Sequence, residues 1–347
     1  MRHLALVYLL SLQLLAGTAL CQEVVEVFSS VESCDIAIAG DVGNCTLRAD
    51  MYFQGRELQS KSISVDGPGT WILSWGVSDP REGSYQVCAS LLIDQDVVSS
   101  RCHDFSYGGR VPVRFDVRDF LADSRGMHLS MLATDPTIVD IYYMLIQGEK
   151  ALYISRDKGV RIGGGRIVSD LQWVWPQILE DGEAYSGRVK IVELNHGQTR
   201  AFMNSFVAKE DARITETYED EMGASATVLG DSRVPFQGSL LFELSQNGSI
   251  MASIEKSTPI LLAGDDETVE ISWNQTLSPG VYRLRVQLLG RDRAVQDLRE
   301  SIIEAEPIAR EVQSEDASPE KSPSLPAVLA VSLVLASWAA LRPKKRS

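Results

Sequence analysis

The stretch TWILSWGVSDPREGSYQVCASLLIDQDVVSS, residues 70–100, contains the pattern that decides the fold. A short apolar run ends at Trp75, a turn glycine follows, and Tyr85 opens a segment in which apolar residues alternate with polar ones. Alternation with a period of two is what a half-buried β-strand requires. The stretch therefore predicts a strand followed by a hairpin, with the Trp and the Tyr as buried anchors.

The same pattern occurs twice more along the chain. It returns as DLQWVWPQILEDGEAYSGRVKIVELNHGQTR in residues 170–200 and as VEISWNQTLSPGVYRLRVQLLGRDRAVQD in residues 269–297. The Trp-to-Tyr interval is 10, 10 and 9 residues, and successive Tyr residues are 100 and 97 positions apart. A period near 100 residues is the size of a domain. The predicted core anchors are Trp75, Tyr85, Trp175, Tyr185, Trp273 and Tyr282.

A second hairpin signal precedes each of these tryptophans, between two extended segments. Glycine supplies the positive φ that a tight hairpin turn requires. The interval from this glycine to the Trp is 20, 27 and 25 residues, which leaves room for one more strand. Each repeat therefore holds about seven short strands, as an immunoglobulin-like sandwich does. The turn dipeptides are Gln54-Gly55, Gln147-Gly148 and Asn247-Gly248.

We therefore expect an all-β protein with three tandem immunoglobulin-like β-sandwich domains, an N-terminal signal helix and a C-terminal transmembrane helix. A repeat of this kind makes a single large enzyme fold a poor interpretation of the chain. The predicted order is a signal peptide (1–21), domain 1 with the disulfides (22–108), domain 2 (109–207), domain 3 (208–305), a flexible stalk (306–324), a transmembrane anchor (325–341) and a cytoplasmic basic tail (342–347).

The two ends of the chain carry the targeting signals. An apolar stretch from Leu4 to Leu15 follows a basic residue and precedes small residues, as in a secretory signal peptide. Residues 325–341 carry no charge and are followed by RPKKRS. We expect a single-pass anchor in the cell membrane with the body of the protein extracellular and the basic tail inside.

The charge balance limits the partners. All 47 acidic residues lie between residues 22 and 324 and five of the 33 basic residues lie outside that range, so the exported part carries about −19. Nucleic acid and anionic lipid both bind basic surfaces, so neither is an expected partner. The expected partners are an extracellular protein or glycan ligand, or components of the cell envelope, besides the membrane that holds the anchor.

Four cysteines remain after signal removal, and all lie in the first repeat. An even number in an exported chain predicts two disulfides, here in one of three connectivities. We favour Cys88 with Cys102, because they are symmetric about the hairpin tip at Gln95, which leaves Cys34 with Cys45. The competing scheme joins Cys34 to Cys88 across the sandwich. It requires Cys88 to face inward, although it lies three residues after a buried Tyr.

Three Asn-x-Ser/Thr triplets predict N-glycosylation of an exported chain. Two of them fall at a predicted turn and directly after a predicted strand, which are surface positions. The acceptor residues are Asn44, Asn247 and Asn274.

The sequence offers little for catalysis, and we expect no enzyme activity and no cofactor. Outside the signal peptide the chain has three histidines, and no nucleophile-elbow, zinc-protease or phosphate-loop motif is present. The alternative is a membrane-anchored extracellular hydrolase or enzyme accessory subunit that uses the second repeat. Its cleft would be bordered by Trp173, Trp175, His128 and His196.

Acidic clusters leave calcium as a further possibility, against the simpler interpretation of a solvated acidic surface. Calcium takes six to eight oxygen ligands, and acidic loops near a domain junction can supply them. No defined calcium-binding motif is present. The acidic residues in question are Asp211, Glu216, Glu219, Asp220, Glu221, Asp265, Asp266 and Glu267.

Over residues 22–305 the order of hairpin glycine, Trp-ended strand, Gly-x-Tyr and final hairpin resembles the CARDB-like and fibronectin type III-like repeats of prokaryotic, above all archaeal, cell-surface proteins. Those repeats have the immunoglobulin fold and act mostly as spacers, adhesion modules or scaffolds. The resemblance therefore implies a non-catalytic cell-surface protein that serves in adhesion, in binding or as an envelope scaffold.

Overall fold

The computed structural model describes residues 23–40, 43–108, 115–165, 167–195 and 197–306 of the 347-residue chain. These residues form 21 β-strands and no helix. Within them there is accordingly no helix long and apolar enough to cross a membrane. The predicted signal peptide, anchor, basic tail and the stalk beyond Glu306 lie outside the described residues.

The strands fall into three successive groups of seven, which we call groups one, two and three. Group one is β1 (Glu23–Ser29), β2 (Ser33–Ala39), β3 (Cys45–Phe53), β4 (Arg56–Val65), β5 (Gly69–Ser74), β6 (Gly83–Ile93) and β7 (Asp96–Tyr107). Group two is β8 (Phe115–Ala122), β9 (Gly126–Ala133), β10 (Thr137–Gln147), β11 (Lys150–Ile162), β12 (Val168–Val174), β13 (Ala184–Glu193) and β14 (Thr199–Val207). Group three is β15 (Ala212–Glu219), β16 (Gly223–Gly230), β17 (Ser239–Gln246), β18 (Ser249–Ser257), β19 (Asp266–Ser272), β20 (Gly280–Leu289) and β21 (Val295–Ala305).

Every strand pairs antiparallel with its neighbours, and each group contributes a three-stranded and a four-stranded set. In group one these are β1-β2-β5 and β4-β3-β6-β7, and in group three β15-β16-β19 and β18-β17-β20-β21. Group two has β12-β9-β8 as its smaller set. Its larger set, β11-β10-β13-β14, joins β1-β2-β5 through β5 and β11 to give one seven-stranded sheet. The fold is therefore a series of two-sheet β-sandwiches in which one sheet continues from group one into group two.

Each group encloses its own large hydrophobic core, and the six predicted anchors lie in these cores. Trp175 is completely buried, and the most exposed of the six anchors retain only 8 % of their surface. The core of group two also takes in Ala208 and Val234, which lie beyond β14 in the sequence. The second and third groups are thus packed against each other and not merely linked.

The Trp75 indole N–H donates to the Ser29 hydroxyl at 3.2 Å, and the polar atoms of the other five anchors bond to backbone groups. The Trp175 indole N–H donates to the carbonyl of Asp123 at 2.7 Å, and that of Trp273 to Asp220 at 3.1 Å. The Tyr85 hydroxyl donates to the carbonyl of Arg81 at 2.8 Å. Each ring is therefore buried between the sheets while its polar atom is hydrogen-bonded, so burial of the ring leaves no unpaired polar group.

Two of the three upstream hairpins turn at the predicted residues. Gln54 and Gly55 both have positive φ, at 49° and 80°, and so form the two-residue turn between β3 and β4. The turn between β10 and β11 lies one residue later than predicted. Gln147 pairs with Lys150, so Gly148 and Glu149 are the turn residues. The glycine therefore lies in the turn of all three hairpins, whereas the residue before it does so in two.

The disulfide prediction is half right. Cys88 and Cys102 are directly opposed on β6 and β7 and form a disulfide on the face of the sheet opposite Tyr85. Cys34 and Cys45 are both buried but do not form the second disulfide. After Cys34, β2 runs on for five residues, about 17 Å of strand, before the loop that leads to Cys45. A disulfide spans a Cα distance of at most about 7 Å, and Cys34 lies further than that from the end of β2 that leads to Cys45.

Candidate functional site

A short β-bridge and a small apolar cluster join group one to group two. Trp71 of β5 pairs with Lys150 of β11, and the backbone N–H of Ile72 donates to the carbonyl of Glu149 at 2.7 Å. Ile72 is also buried against Met144 and other apolar residues of β10. Because one residue pair forms the whole bridge, the sheet can turn sharply there. The outer face of β1-β2-β5 then packs on the outer face of β10 and β13.

A buried ion cluster lies between these two faces. Arg188 of β13 donates to Asp35 of β2 at 2.5 Å and to the Ser33 hydroxyl at 2.5 Å. The Lys190 ammonium lies 3.3 Å from the other oxygen of Asp35. The side chains of Arg188, Lys190 and Asp35 are 1 %, 8 % and 5 % exposed. Two cations therefore share one carboxylate away from water, and the arrangement fixes the two groups relative to each other.

Aromatic rings complete the surroundings of the cluster. The Lys190 ammonium is 5.0 Å from the ring centre of Phe28 on β1 and 4.9 Å from that of Tyr142 on β10. A further carboxylate, that of Glu26, lies 3.7 Å from the same ammonium but is largely exposed. Rings from both groups thus face one cation, which adds attraction across the junction.

A cleft of about 820 Å³ opens beside the ion cluster. It is bounded by β1 and the turn after it, by β7, and by β8, the end of β9 and β14. The volume is in the range of small-molecule binding sites. Its side chains include Phe28, Glu32, His103, Asp104, Phe105, Tyr107, Phe115, Asp116, Arg200 and Phe202. Group one and group two both contribute to the walls, so the cleft depends on their fixed placement.

His103 is the titratable group in the wall nearest the ion cluster. Its ring stacks on Phe105 at 6.2 Å and lies 5.5 Å from Phe28. Burial lowers the pKa of His103 below its usual 6.5, and the charge of Lys190 acts in the same direction, against Asp104. His103 is therefore neutral at pH 7 and adds no charge to the cleft.

Arg200 supplies the positive charge of the opposite wall. Its guanidinium lies 4.9 Å from the ring of Phe202 and 5.9 Å from that of Phe115. Asp116 approaches it at 3.9 Å, which is a loose ion pair. The wall thus offers stacked rings with hydrogen-bond donors and acceptors at their margin, which suits recognition of a ligand with both apolar and polar surfaces.

The three described residues of the hydrolase alternative do not line this cleft. Trp175 is in the core, Trp173 stacks on the Tyr143 ring at 4.8 Å, and His196 lies outside the described residues. His128 lies 3.8 Å from Asp170, on the outer face of the β9 and β12 pair. The three described residues do not border a common cleft, because alternation along β12 turns Trp173 into the core.

A serine next to His128 is not arranged as a nucleophile. The Ser130 hydroxyl donates to Asp170 at 2.7 Å, and His128 approaches the same carboxylate oxygen. The carboxylate therefore stands between the hydroxyl and the imidazole. A base can activate a serine only when it accepts the proton of that hydroxyl directly.

Two of the acidic residues considered for calcium already have partners within the protein. Asp220 accepts from the backbone N–H groups of Met222 and Gly223, and Asp211 accepts from Arg125 at 2.5 Å. The described residues contain no group of three or more His, Cys, Asp or Glu side chains placed to hold a metal ion.

The three predicted glycan acceptors are exposed. Asn247 is in the β17–β18 turn with φ 51°, Asn274 follows β19, and Asn44 precedes β3. Their exposure makes each side chain accessible to modification.

Sequence reasoning missed the ion cluster. Val189 and Ile191 predict β13 as a half-buried strand, which assigns the alternate residues Arg188 and Lys190 to solvent. The available signal was the run IYYMLI in residues 141–146, where six apolar residues without alternation indicate a strand buried on both faces.

Comparisons with known proteins leave the family open. No family model matches the chain, and no curated protein matches it. A tetra-tandem repeat from the extending region of a large adhesion protein is similar at 12 % identity and a TM-score of 0.25, over 83 % of this chain and 75 % of that one. Trypsin-activated alpha-2-macroglobulin from Escherichia coli is similar at 12 % identity and a TM-score of 0.24, over 83 % of this chain and 23 % of its own length. Red sea bream transglutaminase is similar at 8 % identity and a TM-score of 0.24, over 57 % of this chain and 32 % of that chain. Likenesses this distant carry no argument about function.

Proposed function

We propose that the chain is a non-catalytic cell-surface protein that acts in adhesion, in binding or as an envelope scaffold. In this proposal the β-sandwiches stand outside the cell on a C-terminal membrane anchor. The partner is an extracellular protein, a glycan or an envelope component, and nucleic acid is not a partner because the exported part is strongly acidic.

The ion cluster between groups one and two is the observation that carries the proposal. A linker alone would leave neighbouring sandwiches free to reorient, as is usual for domains joined by small interfaces. Here Asp35, Arg188 and Lys190 are removed from water, and breaking their contacts would leave unpaired charges in a buried place. Such a junction suits a rigid arm that holds a binding surface in a fixed direction.

The binding surface of this proposal is the cleft beside the cluster. Tyr107 is 39 % exposed and lies at its margin, and Arg200 is 38 % exposed on the opposite side. An accessible aromatic ring and a guanidinium are residue types that frequently dominate binding energy. Groups one and two both contribute to the walls of the cleft. Because the ion cluster fixes their relative positions, the cleft can bind a partner without movement of either group.

Retention of the purified full-length protein by envelope preparations and by glycan arrays tests the proposal. The variants Tyr107→Ala and Arg200→Gln should each weaken retention about tenfold, as loss of an interface hot spot does. Tyr218→Ala is the matched control, because Tyr218 is 65 % exposed but lies on β15, away from the cleft. If both cleft variants bind like the unchanged protein, the cleft is not the binding surface.

A parallel assay separates this proposal from the hydrolase alternative. The unchanged protein should hydrolyse none of the glycans or peptides that it retains. Hydrolysis that disappears in His128→Ala would overturn the non-catalytic proposal, whatever the binding result.

A further inference from the structure

The outer edge of β12 is open in a part of the molecule that the ion cluster and the cleft do not involve. β12 ends the three-stranded sheet β12-β9-β8, and no described strand pairs with its other side. Two valines on its outward face are accessible to water, Val168 at 49 % and Val174 at 59 %. An edge of this kind is a template for pairing with another strand.

Four residues of β12 direct their backbone groups to the open edge. The N–H of Trp175, just after the strand, donates inward to the carbonyl of Arg125 at 3.3 Å. In an antiparallel pair, successive residues direct their backbone groups to alternate sides. The odd-numbered residues of β12 therefore bond to β9, and the even-numbered ones face outward. These are Val168, Asp170, Gln172 and Val174.

The sequence of β12 is complementary to itself about Leu171. If a second copy of the strand runs antiparallel through this centre, Val168 meets Val174 of the other copy, and Asp170 meets Gln172. Valine thus opposes valine and a carboxylate opposes an amide that can donate to it, with no like charges in register. Pairs of these types stabilise a sheet, and the four outward-facing residues are the ones that exchange hydrogen bonds.

The strands of groups one and three that correspond to β12 are β5 and β19, and neither is suited to pairing with a second copy of itself. β5 of group one has no charged residue and is covered by β11. β19 of group three is also at an edge but carries Asp266, Glu267 and Glu270, which repel a second acidic strand. β12 carries one acid and has no covering strand, so among the three it is the edge suited to self-pairing.

We propose that two copies of the chain associate through their β12 edges, antiparallel and centred on Leu171. The two three-stranded sheets then form one continuous six-stranded sheet across a two-fold axis. Such an isologous contact closes at the dimer, because each copy uses the same edge. The inference stands apart from the proposed function, since it needs neither the cleft nor a ligand.

Sedimentation of the full-length protein in detergent, over a range of concentrations, measures the association. The unchanged protein should shift from monomer to dimer as its concentration rises. Gln172→Asp places two carboxylates opposite each other and should raise the dissociation constant about tenfold, whereas Gln172→Lys should lower it by a similar factor. Gln172 is exposed, so neither change disturbs the monomer.

Glu270→Lys is the matched control, because Glu270 occupies the equivalent position of β19, three residues before the anchor tryptophan. It should leave the dissociation constant unchanged. A protein that stays monomeric at the highest soluble concentration overturns the proposal. So does a dimer whose dissociation constant is the same in both Gln172 variants.

Disulfide formation tests the register directly. A mixture of Val168→Cys and Val174→Cys chains should yield a cross-linked dimer with one copy of each variant. Each variant alone should give little product, because identical positions are about 20 Å apart along the paired strands. Efficient cross-linking of either variant with itself would contradict the register centred on Leu171.

Discussion

Replacing Asp35 by Asn should destabilise the protein more than any other single change in the ion cluster. The side chain keeps its size, but Arg188 and Lys190 lose the buried carboxylate that they share. Glu26 remains near Lys190 but is 68 % exposed, so it compensates little. Removing one partner of a buried ion pair costs about 3–5 kcal/mol, and two cations are stranded here, so we expect a value within that range.

Arg188→Met should cost less, although Arg188 is the more deeply buried residue. The variant leaves one cation, Lys190, for one carboxylate, Asp35, so no charge is stranded. What is lost are the hydrogen bonds of the guanidinium to Asp35 and Ser33, at about 1–2 kcal/mol in total after the methionine side chain fills the space.

Urea unfolding followed by far-ultraviolet circular dichroism measures both free energies, and hydrogen exchange of β2 and β13 locates the change. Lys158→Met is a suitable control, since Lys158 is an exposed lysine of group two. If Asp35→Asn and Arg188→Met lower the free energy of unfolding equally, or if Arg188→Met lowers it more, the buried cluster does not consist of two cations that share one carboxylate.

Three further predictions concern the other fixed points of the fold. Cys88→Ser with Cys102→Ser should lower the free energy of unfolding by about 3 kcal/mol, as expected for a loop of 14 residues, and reduction of the unchanged protein should reproduce the loss in thermal melts. Tyr85→Phe and Tyr282→Phe should each lower the free energy of unfolding in urea by about 1 kcal/mol, because each hydroxyl donates to a backbone carbonyl four residues earlier. An unchanged free energy at either site would contradict the anchoring role. The pKa of His103 is lowered in the folded state, so the stability that the neutral imidazole contributes is fully present above the unfolded pKa of 6.5 and is lost as the pH falls from there through the folded pKa. His103→Gln should therefore flatten the acid limb of a stability–pH profile, and an unchanged limb would count against this reasoning.

Much of the fold could be predicted because local chemistry specifies it. A glycine with positive φ at a hairpin, such as Gly55 or Gly248, is required by the backbone of the turn alone. The Trp and Tyr anchors recur because each sandwich needs a large ring between its sheets and a hydroxyl that bonds the adjacent turn. The Cys88–Cys102 disulfide could be predicted because the two cysteines are equally distant in the sequence from the hairpin tip and are therefore opposed on the paired strands.

The junction could not be predicted, because it depends on two segments about 150 residues apart. The bonds between Arg188 and Asp35 span 153 positions, and each residue alone has the pattern of a solvent-facing charge on a half-buried strand. The second disulfide failed for a related reason. Pairing Cys34 with Cys45 by elimination ignored the length of β2, along which Cys34 lies well before the loop.

The distance between groups one and two tests the central claim, that the ion cluster holds them as one rigid arm. Spin labels can be attached at Ser62→Cys on β4 and Asp119→Cys on β8, because both residues are exposed. Burial raises the pKa of the Cys34 thiol to about 12, so that native thiol resists labelling. Pulsed electron paramagnetic resonance should give one narrow distance distribution in the otherwise unchanged protein and a broad one after Asp35→Asn. A broad distribution before that substitution would contradict the rigid junction.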